Sequence, residues 1–193
     1  MRDIILRNVS RSFDGKPVLR HVSLLFPAGE ICCVRGRSGI GKTTLLRSIA
    51  GLLSPDEGTV EGVPDKIAFV FQEDRLCEDF SALSNIRMVT KNRTKEEILQ
   101  HLEELELRGE ASLAVREFSG GMRRRVALAR AICADADLLL LDEPFKGLDP
   151  ELRIRVIDYV KRHTEGKTVI CVTHEETEAV LLGGRMIELE DSK

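Results

Sequence analysis

Two kinds of hydrophobic pattern alternate along this chain. Residues 3–9 (DIILRNV) and 18–26 (VLRHVSLLF) switch between apolar and polar with a period of two, which predicts half-buried antiparallel strands. Four later stretches, 30–36 (EICCVRG), 66–72 (KIAFVFQ), 137–144 (DLLLLDEP) and 168–174 (TVICVTH), are almost continuously apolar before a polar end. Such strands suit a parallel sheet covered on both faces. Helical periodicity follows several of them, at 41–53, 120–134, 150–163 and 175–182, with Pro150 suited to an early helical position. The alternation predicts an α/β fold with a mostly parallel central sheet and an antiparallel β subdomain.

Residues 76–118 break this rhythm. They carry no strand signal, and TKEEILQHLEELEL (94–107) sets Ile98, Leu102 and Leu105 at near-helical spacing, with Gly109 suited to ending the helix. The expectation is a single domain, 1–193, with 1–75 and 119–193 as its core and 76–118 as a short inserted helical subdomain. The plainer alternative for 76–118 is a pair of ordinary core-packing helices.

The polar ends of the buried strands carry the candidate chemistry. The first runs into GRSGIGKTT, which matches G-x-x-x-x-G-K-[ST] through Gly36, Gly41, Lys42 and Thr43. Successive backbone N–H groups there can turn inward around phosphate oxygens, because glycine allows both the dihedrals and the close approach. Lys42 then reaches the outer phosphates and Thr43 offers its hydroxyl to Mg²⁺. Asp142 is placed to hold Mg²⁺, and the adjacent Glu143 to act as general base on water. Gln72 and His174 end two further strands. Singly, these are a pair of solvated loop acids, a surface glutamine and a capping histidine; their shared position at the carboxyl edge of the sheet, where open α/β folds bind ligands, favours function.

A second glycine-rich stretch, EFSGGMRRRVALARA (117–131), opens a helix with Ser119, Gly120 and Gly121 and puts Arg123, Arg124 and Arg125 near its start. Cations are disfavoured at that end. Either an anion binds there, or the arginines form a solvated face with acidic neighbours.

Taken together, FSGGMRRRVALARA, LLLLDEPFKGLDP and VTH resemble the ATP-binding subunit of ABC transporters, and the resemblance covers nearly the whole chain. It implies a P-loop NTPase core that binds ATP and Mg²⁺ and hydrolyses ATP. It implies a phosphate loop of Gly36, Arg37, Ser38, Gly39, Gly41, Lys42, Thr43 and Thr44, with Gln72 sensing Mg²⁺, water and the membrane partner. Thr43, Asp142 and Gln72 become the metal residues; Glu143, His174 and Gln72 the catalytic ones. Ser119, Gly120 and Gly121 become a signature that completes the site of a second copy in a head-to-tail dimer enclosing two ATP molecules. Gly147, Leu148 and Asp149 fall at the dimer interface. Phe13 lies where the family stacks a ring on adenine, the alternative being an ordinary strand phenylalanine. The signature usually reads Leu-Ser-Gly-Gly-Gln; Phe118 and Met122 replace its ends.

The implied function is to power solute transport through separate transmembrane permease subunits, docked by 76–118, from the cytoplasmic face of the membrane. The stretch FVFQEDRLCEDFSALSNI is similar to importers of the nitrate, sulfonate and taurine type, which would add an extracytoplasmic solute-binding protein reached through the permease; Glu78 and Asp79 stand where that group tends to have Pro-Trp. The rivals are a non-transport ABC protein and a low-turnover nucleotide-binding scaffold. The net charge of −3 and pI of about 5.9 give no basic field for nucleic acid. Cys32, Cys33, Cys77, Cys133 and Cys171 lack paired metal spacing and read as reduced, mainly core residues. No apolar run approaches the roughly twenty residues that span a bilayer, and the N-terminus has no signal-peptide pattern.

Overall fold

The computed structural model describes residues 2–190. Its centre is a parallel sheet of β3 (Ile31–Arg35), β5 (Ile67–Val70), β6 (Leu138–Asp142), β7 (Thr168–Val172) and β8 (Arg185–Glu188), in the order β5-β6-β7-β3-β8. Along β6 the side chains alternate between two cores. Leu138 and Leu140 pack with Val34, Ile170 and Val172; Leu139 and Leu141 pack with Cys33, Val169 and Cys171. All of β6 and β7 is buried, as continuous apolar runs require.

One face is covered by α1 (Lys42–Ile49) and an antiparallel sheet of β2 (Lys16–Phe26), β1 (Ile4–Phe13) and β4 (Glu57–Glu61). The other is covered by α4 (Gly120–Cys133), α5 (Pro150–His163) and α6 (Glu176–Leu182), together with α2 (Ala82–Arg87) and α3 (Lys95–Glu104) from the inserted segment. The expected α/β fold, with its parallel sheet, antiparallel sheet and intervening helices, is therefore present.

Three details differ from the sequence reading. The strands β4 and β8 were not foreseen: they lie at sheet edges, are largely exposed, and carry no apolar alternation to announce them. The helix expected to run to Gly109 stops at Glu104, because the chain turns left-handed at Glu106 (φ 57°) and the Leu107 amide closes back on the Leu102 carbonyl at 2.7 Å. Its start is firmer: Thr94 and Glu97 form a reciprocal capping box.

The inserted segment is packed into the molecule rather than set apart. Ala82, Ile86, Ile98 and Leu102 share one core with α4 and α5. A buried polar contact joins it to the core as well: His101 Nδ1 lies 2.9 Å from the Tyr159 hydroxyl, and Arg93 Nη1 is 3.2 Å from Nε2. Arginine can only donate, so Nε2 accepts and Nδ1 carries the proton donated to Tyr159. Burial, with the charges of His163 and Arg93, pushes the His101 pKa down to about 4 and keeps the ring neutral.

Tyr159→Phe should cost about 1–3 kcal/mol in urea unfolding by leaving a buried N–H unpaired. Because the folded His101 pKa is depressed, the unfolded chain binds its proton first. Stability should fall as the pH drops from 6.5 toward about 4, and His101→Gln should flatten that part of the stability–pH curve.

Candidate functional site

The loop between β3 and α1 is built on backbone that only glycine accepts without strain. Gly41, the N-cap of α1, has φ 106°, and an added Cβ would meet Leu19 Cδ2 at 2.8 Å and the Val18 carbonyl oxygen at 3.0 Å. At Gly36 (φ 150°) a Cβ would come within 2.7 Å of the Leu189 carbonyl oxygen. The chain therefore turns tightly off the sheet and begins a helix whose first amides face the carboxyl edge.

Against that edge is a cleft of about 240 Å³. Ser38, Gly39, Gly41, Lys42, Thr43 and Thr44 line it from the loop and helix, Asp142 and Glu143 from the end of β6, Gln72 from beyond β5, and His174 from beyond β7. Convergence of these strand ends, expected from the sequence, is thus a geometric fact. A larger neighbouring cavity of about 350 Å³ includes Arg37 and Glu190 in its lining but neither Asp142 nor Glu143. The strand-end carboxylates lie with Lys42 in the smaller cleft.

Lys42, Thr43, Asp142, Glu143 and His174 each have a partner there. Lys42 Nζ folds back onto the Gly36 and Arg37 carbonyls at 2.7 and 2.9 Å. Burial lowers its pKa, against the charges of Glu143, Asp142 and Glu188. The Thr43 hydroxyl donates to Asp142 Oδ2 at 2.8 Å. Asp142 is only 2% exposed, and desolvation raises its pKa although the Thr43 bond opposes the shift. Glu143 Oε1 lies 2.9 Å from His174 Nε2 and Oε2 accepts from Lys146 Nζ at 2.8 Å. Burial works against the Glu143 charge, yet Lys146 and His174 outweigh it and hold the pKa below its ordinary value. Glu143 also sits at φ 48°, an uncommon conformation for a non-glycine residue.

The remaining candidates stand elsewhere. Ser119 is the N-cap of α4, and its oxygen accepts from the Met122 amide at 3.3 Å. Its O–H remains able to donate. Gly121 lies beside the 147–148 turn, where an added Cβ would be 3.4 Å from Leu148 Cδ2. Asp149 caps α5 by accepting from Leu152 at 3.0 Å, with Pro150 at the first helical position. Phe13 ends β1, 43% exposed, with the Arg11 guanidinium 5.2 Å from its ring centre. None of Phe13, Ser119, Gly120, Gly121 and Asp149 lines the cleft.

The arginine triplet does not form the solvated face that was one of its two explanations, although Arg124 has an acidic neighbour in Asp74 at 3.2 Å. Arg124 and Arg125 are buried, and all three guanidinium groups donate to backbone carbonyls. Arg123 reaches Phe118, Arg124 reaches Phe71 and Gln72, and Arg125 reaches Leu105 and Gly121. Lys146 was also missed; its spacing three residues after Glu143 was the available signal. Four cysteines are buried and free as expected, whereas Cys77 is exposed. Among the described residues, no helix is long and apolar enough to cross a membrane.

Comparison with known proteins fits this geometry. A profile of the ABC transporter family matches residues 19–146. The aliphatic sulfonates import ATP-binding protein SsuB of Pseudomonas fluorescens (strain Pf0-1) is 37% identical, over 98% of this chain and 74% of its own length. A Pseudomonas syringae pv. tomato protein of the same description, SsuB 1, is 43% identical over 97% of this chain and 70% of its own. Among solved structures, the dimeric structure of MJ0796, a bacterial ABC transporter cassette, superposes with a TM-score of 0.86 at 30% identity, covering 97% of this chain and 94% of that one. A second structure of that cassette, a post-hydrolysis state bound to ADP and Pi, gives 0.84.

The raised pKa of Asp142 means that its charge opposes folding at neutral pH. The penalty should vanish as pH falls through the carboxylate range. Asp142→Asn should therefore raise the Tm of the ligand-free protein at pH 7 and lose that advantage in acid, as differential scanning calorimetry across pH would show.

Proposed function

Because the chain belongs to the ABC transporter family, we propose that it is the ATP-hydrolysing subunit of an import system and works through separate membrane-spanning subunits. The observation that carries this reading is the single cleft in which Lys42, the Thr43–Asp142 pair and the Glu143–His174 pair meet at the sheet edge. The relatives named above are described as aliphatic sulfonates import proteins, so a small sulfonate is the solute class we assign. The permease, with an extracytoplasmic solute-binding protein, selects that solute; this subunit sits at the cytoplasmic face.

The chemistry follows from the side chains. Lys42 exchanges its two carbonyl partners for the outer phosphate oxygens of ATP, while the loop amides take the remaining charge. The donor set fits Mg²⁺, since a hydroxyl and a carboxylate already lie in contact at the cleft with the Gln72 amide beside them. Bound there, Mg²⁺ would neutralise charge on the phosphates. Glu143 accepts the proton of the attacking water as oxygen bonds to the γ-phosphorus and the bond to ADP breaks; His174 holds the carboxylate in place and faces the γ-phosphate. Lys146 must first release Glu143, which makes it a restraint on turnover.

Ser119, Gly120 and Gly121 serve the ATP of a second copy, facing the cleft of the partner in a head-to-tail dimer, with Asp149 at the same interface. Their position outside the cleft of their own chain supports this assignment, as does the dimeric cassette structure. Phe13 is assigned to the adenine. ATP adds contacts only to the closed dimer and hydrolysis removes them, so the cycle shifts the population between open and closed forms. Residues 76–118 pass that movement to the permease.

Glu143→Gln should keep ATP affinity while losing on the order of a hundredfold or more in steady-state turnover, and should shift from monomer to dimer by light scattering when Mg-ATP is added. A normal rate would remove Glu143 from its role. Lys42→Ala should weaken ATP binding by about tenfold or more, the loss expected of a charge-assisted contact; an unchanged titration would refute the phosphate-loop assignment.

A further inference from the structure

We infer that Arg124 is a positioning residue that couples the nucleotide cleft of its own chain to the signature helix completing the partner's site. This inference rests on the dimer reading above. Arg124 belongs to α4, five residues after Ser119, or about 7.5 Å along a helix axis. Its Nη1 donates to the Phe71 carbonyl at 2.6 Å, its Nη2 donates to the Gln72 carbonyl, and its Nε lies 3.2 Å from Asp74 Oδ1. The side chain is buried. Both carbonyls belong to the chain as it leaves β5, and the Gln72 side chain lines the cleft with Glu143 and His174.

The guanidinium therefore grips the backbone of the residue that reads the occupied cleft. The other hold from α4 on this segment is weaker: Arg130 Nη2 reaches the Asp74 carbonyl at 3.3 Å. Past Asp74 the chain is tied to α2 instead, through Asn85 and both backbone groups of Cys77. Residues 71 and 72 are thus attached to α4 by one planar fork whose paired charge-assisted bonds fix distance and direction together. From Arg124 the helix runs one way to the Ser119 cap and the other way into the core, where every residue from Val126 to Cys133 except Arg130 is buried. A shift of Gln72 on filling the cleft moves α4 as a body, and with it the amides presented to the second nucleotide.

A purely structural staple would affect only stability, so the test separates the two. In a Glu143→Gln parent, Arg124→Met removes all donors at similar volume, and Arg124→Lys keeps the charge beside Asp74 without the fork. Three quantities are measured: Tm, the affinity of the monomer for a fluorescent ATP analogue at high dilution, and the ATP dependence of dimerisation by light scattering. For both variants the affinity should stay within about twofold. The ATP concentration at half-dimerisation should rise by about tenfold or more, the usual size of a coupling between sites, and its dependence on ATP should become less steep. If Arg124→Met does not fold, Arg124→Lys carries the test alone.

The proposal is overturned if both variants dimerise like the parent, whatever their Tm. It is equally overturned if monomer affinity falls by the same factor as dimerisation, since Arg124 would then only shape its own cleft. A parent that binds ATP yet stays monomeric would instead remove the dimer reading, and this proposal with it.

Discussion

The Asp142 carboxylate ends a strand whose other four residues are leucine, and 2% of it is exposed. A charge in that position is costly unless a donor meets it, and the donor is the Thr43 hydroxyl from the first turn of α1. Satisfying the carboxylate fixes the helix that follows the glycine-rich loop against the strand that carries the acids. Gly41 has to be glycine for the same reason: the helix can start there only if the loop passes within van der Waals contact of Val18 and Leu19. Burial of Asp142 is thus a source of order and a cost to stability at once, as is usual where a fold keeps a charge for use.

Glu143 is governed by the opposite balance. It follows a buried strand at φ 48°, with its amide bonded to the Val172 carbonyl at 3.0 Å, so the backbone holds the side chain in the cleft. Lys146 and His174 then stabilise its anionic form. A carboxylate with a depressed pKa is a weak base, and a general base works best with a pKa near the working pH. The two neighbours are not equivalent: the Lys146 side chain is 62% exposed and its ion pair lies at the rim, where water competes. Loss of the Lys146 contact alone would raise the basicity of Glu143, since that contact is one of the causes that hold its pKa down.

What could be read from the sequence followed hydrophobic contrast. Strands covered on both faces declared themselves through runs such as LLLLD, and the residues that end them were predictable because a parallel sheet sends all its strand ends to one edge. The edge strands β4 and β8 were not legible, since EGTVE and RMIE have little to bury. The end of α3 was misjudged because Glu106, not Gly109, supplies the left-handed residue. Nor could the sequence assign the arginine triplet: apart from Asp74 beside Arg124, the partners of these side chains are backbone carbonyls, which every residue has and no residue type signals.

Those carbonyls also explain how two of the three cations, Arg124 and Arg125, come to lie near the positive end of a helix. Leu105 is the C-cap of α3, and its carbonyl, which Arg125 meets at 2.5 Å, lies at the negative end of that helix. Arg124 likewise donates to carbonyls at the end of β5. A cation poorly placed on its own helix is well placed on its neighbours. The unfavourable interaction with the α4 dipole, about 0.3–1 kcal/mol per charge, is offset by charge-assisted bonds worth roughly 1.5–3 kcal/mol each. Arg124 and Arg125 extend to the end of β5 and the end of α3, whereas Arg123 stays at the α4 terminus on the Phe118 carbonyl, and the charge of all three adds to the field there. An arginine-rich first turn can in this way brace neighbouring segments of its own chain through their carbonyls while its charge favours an anion at the helix N-terminus.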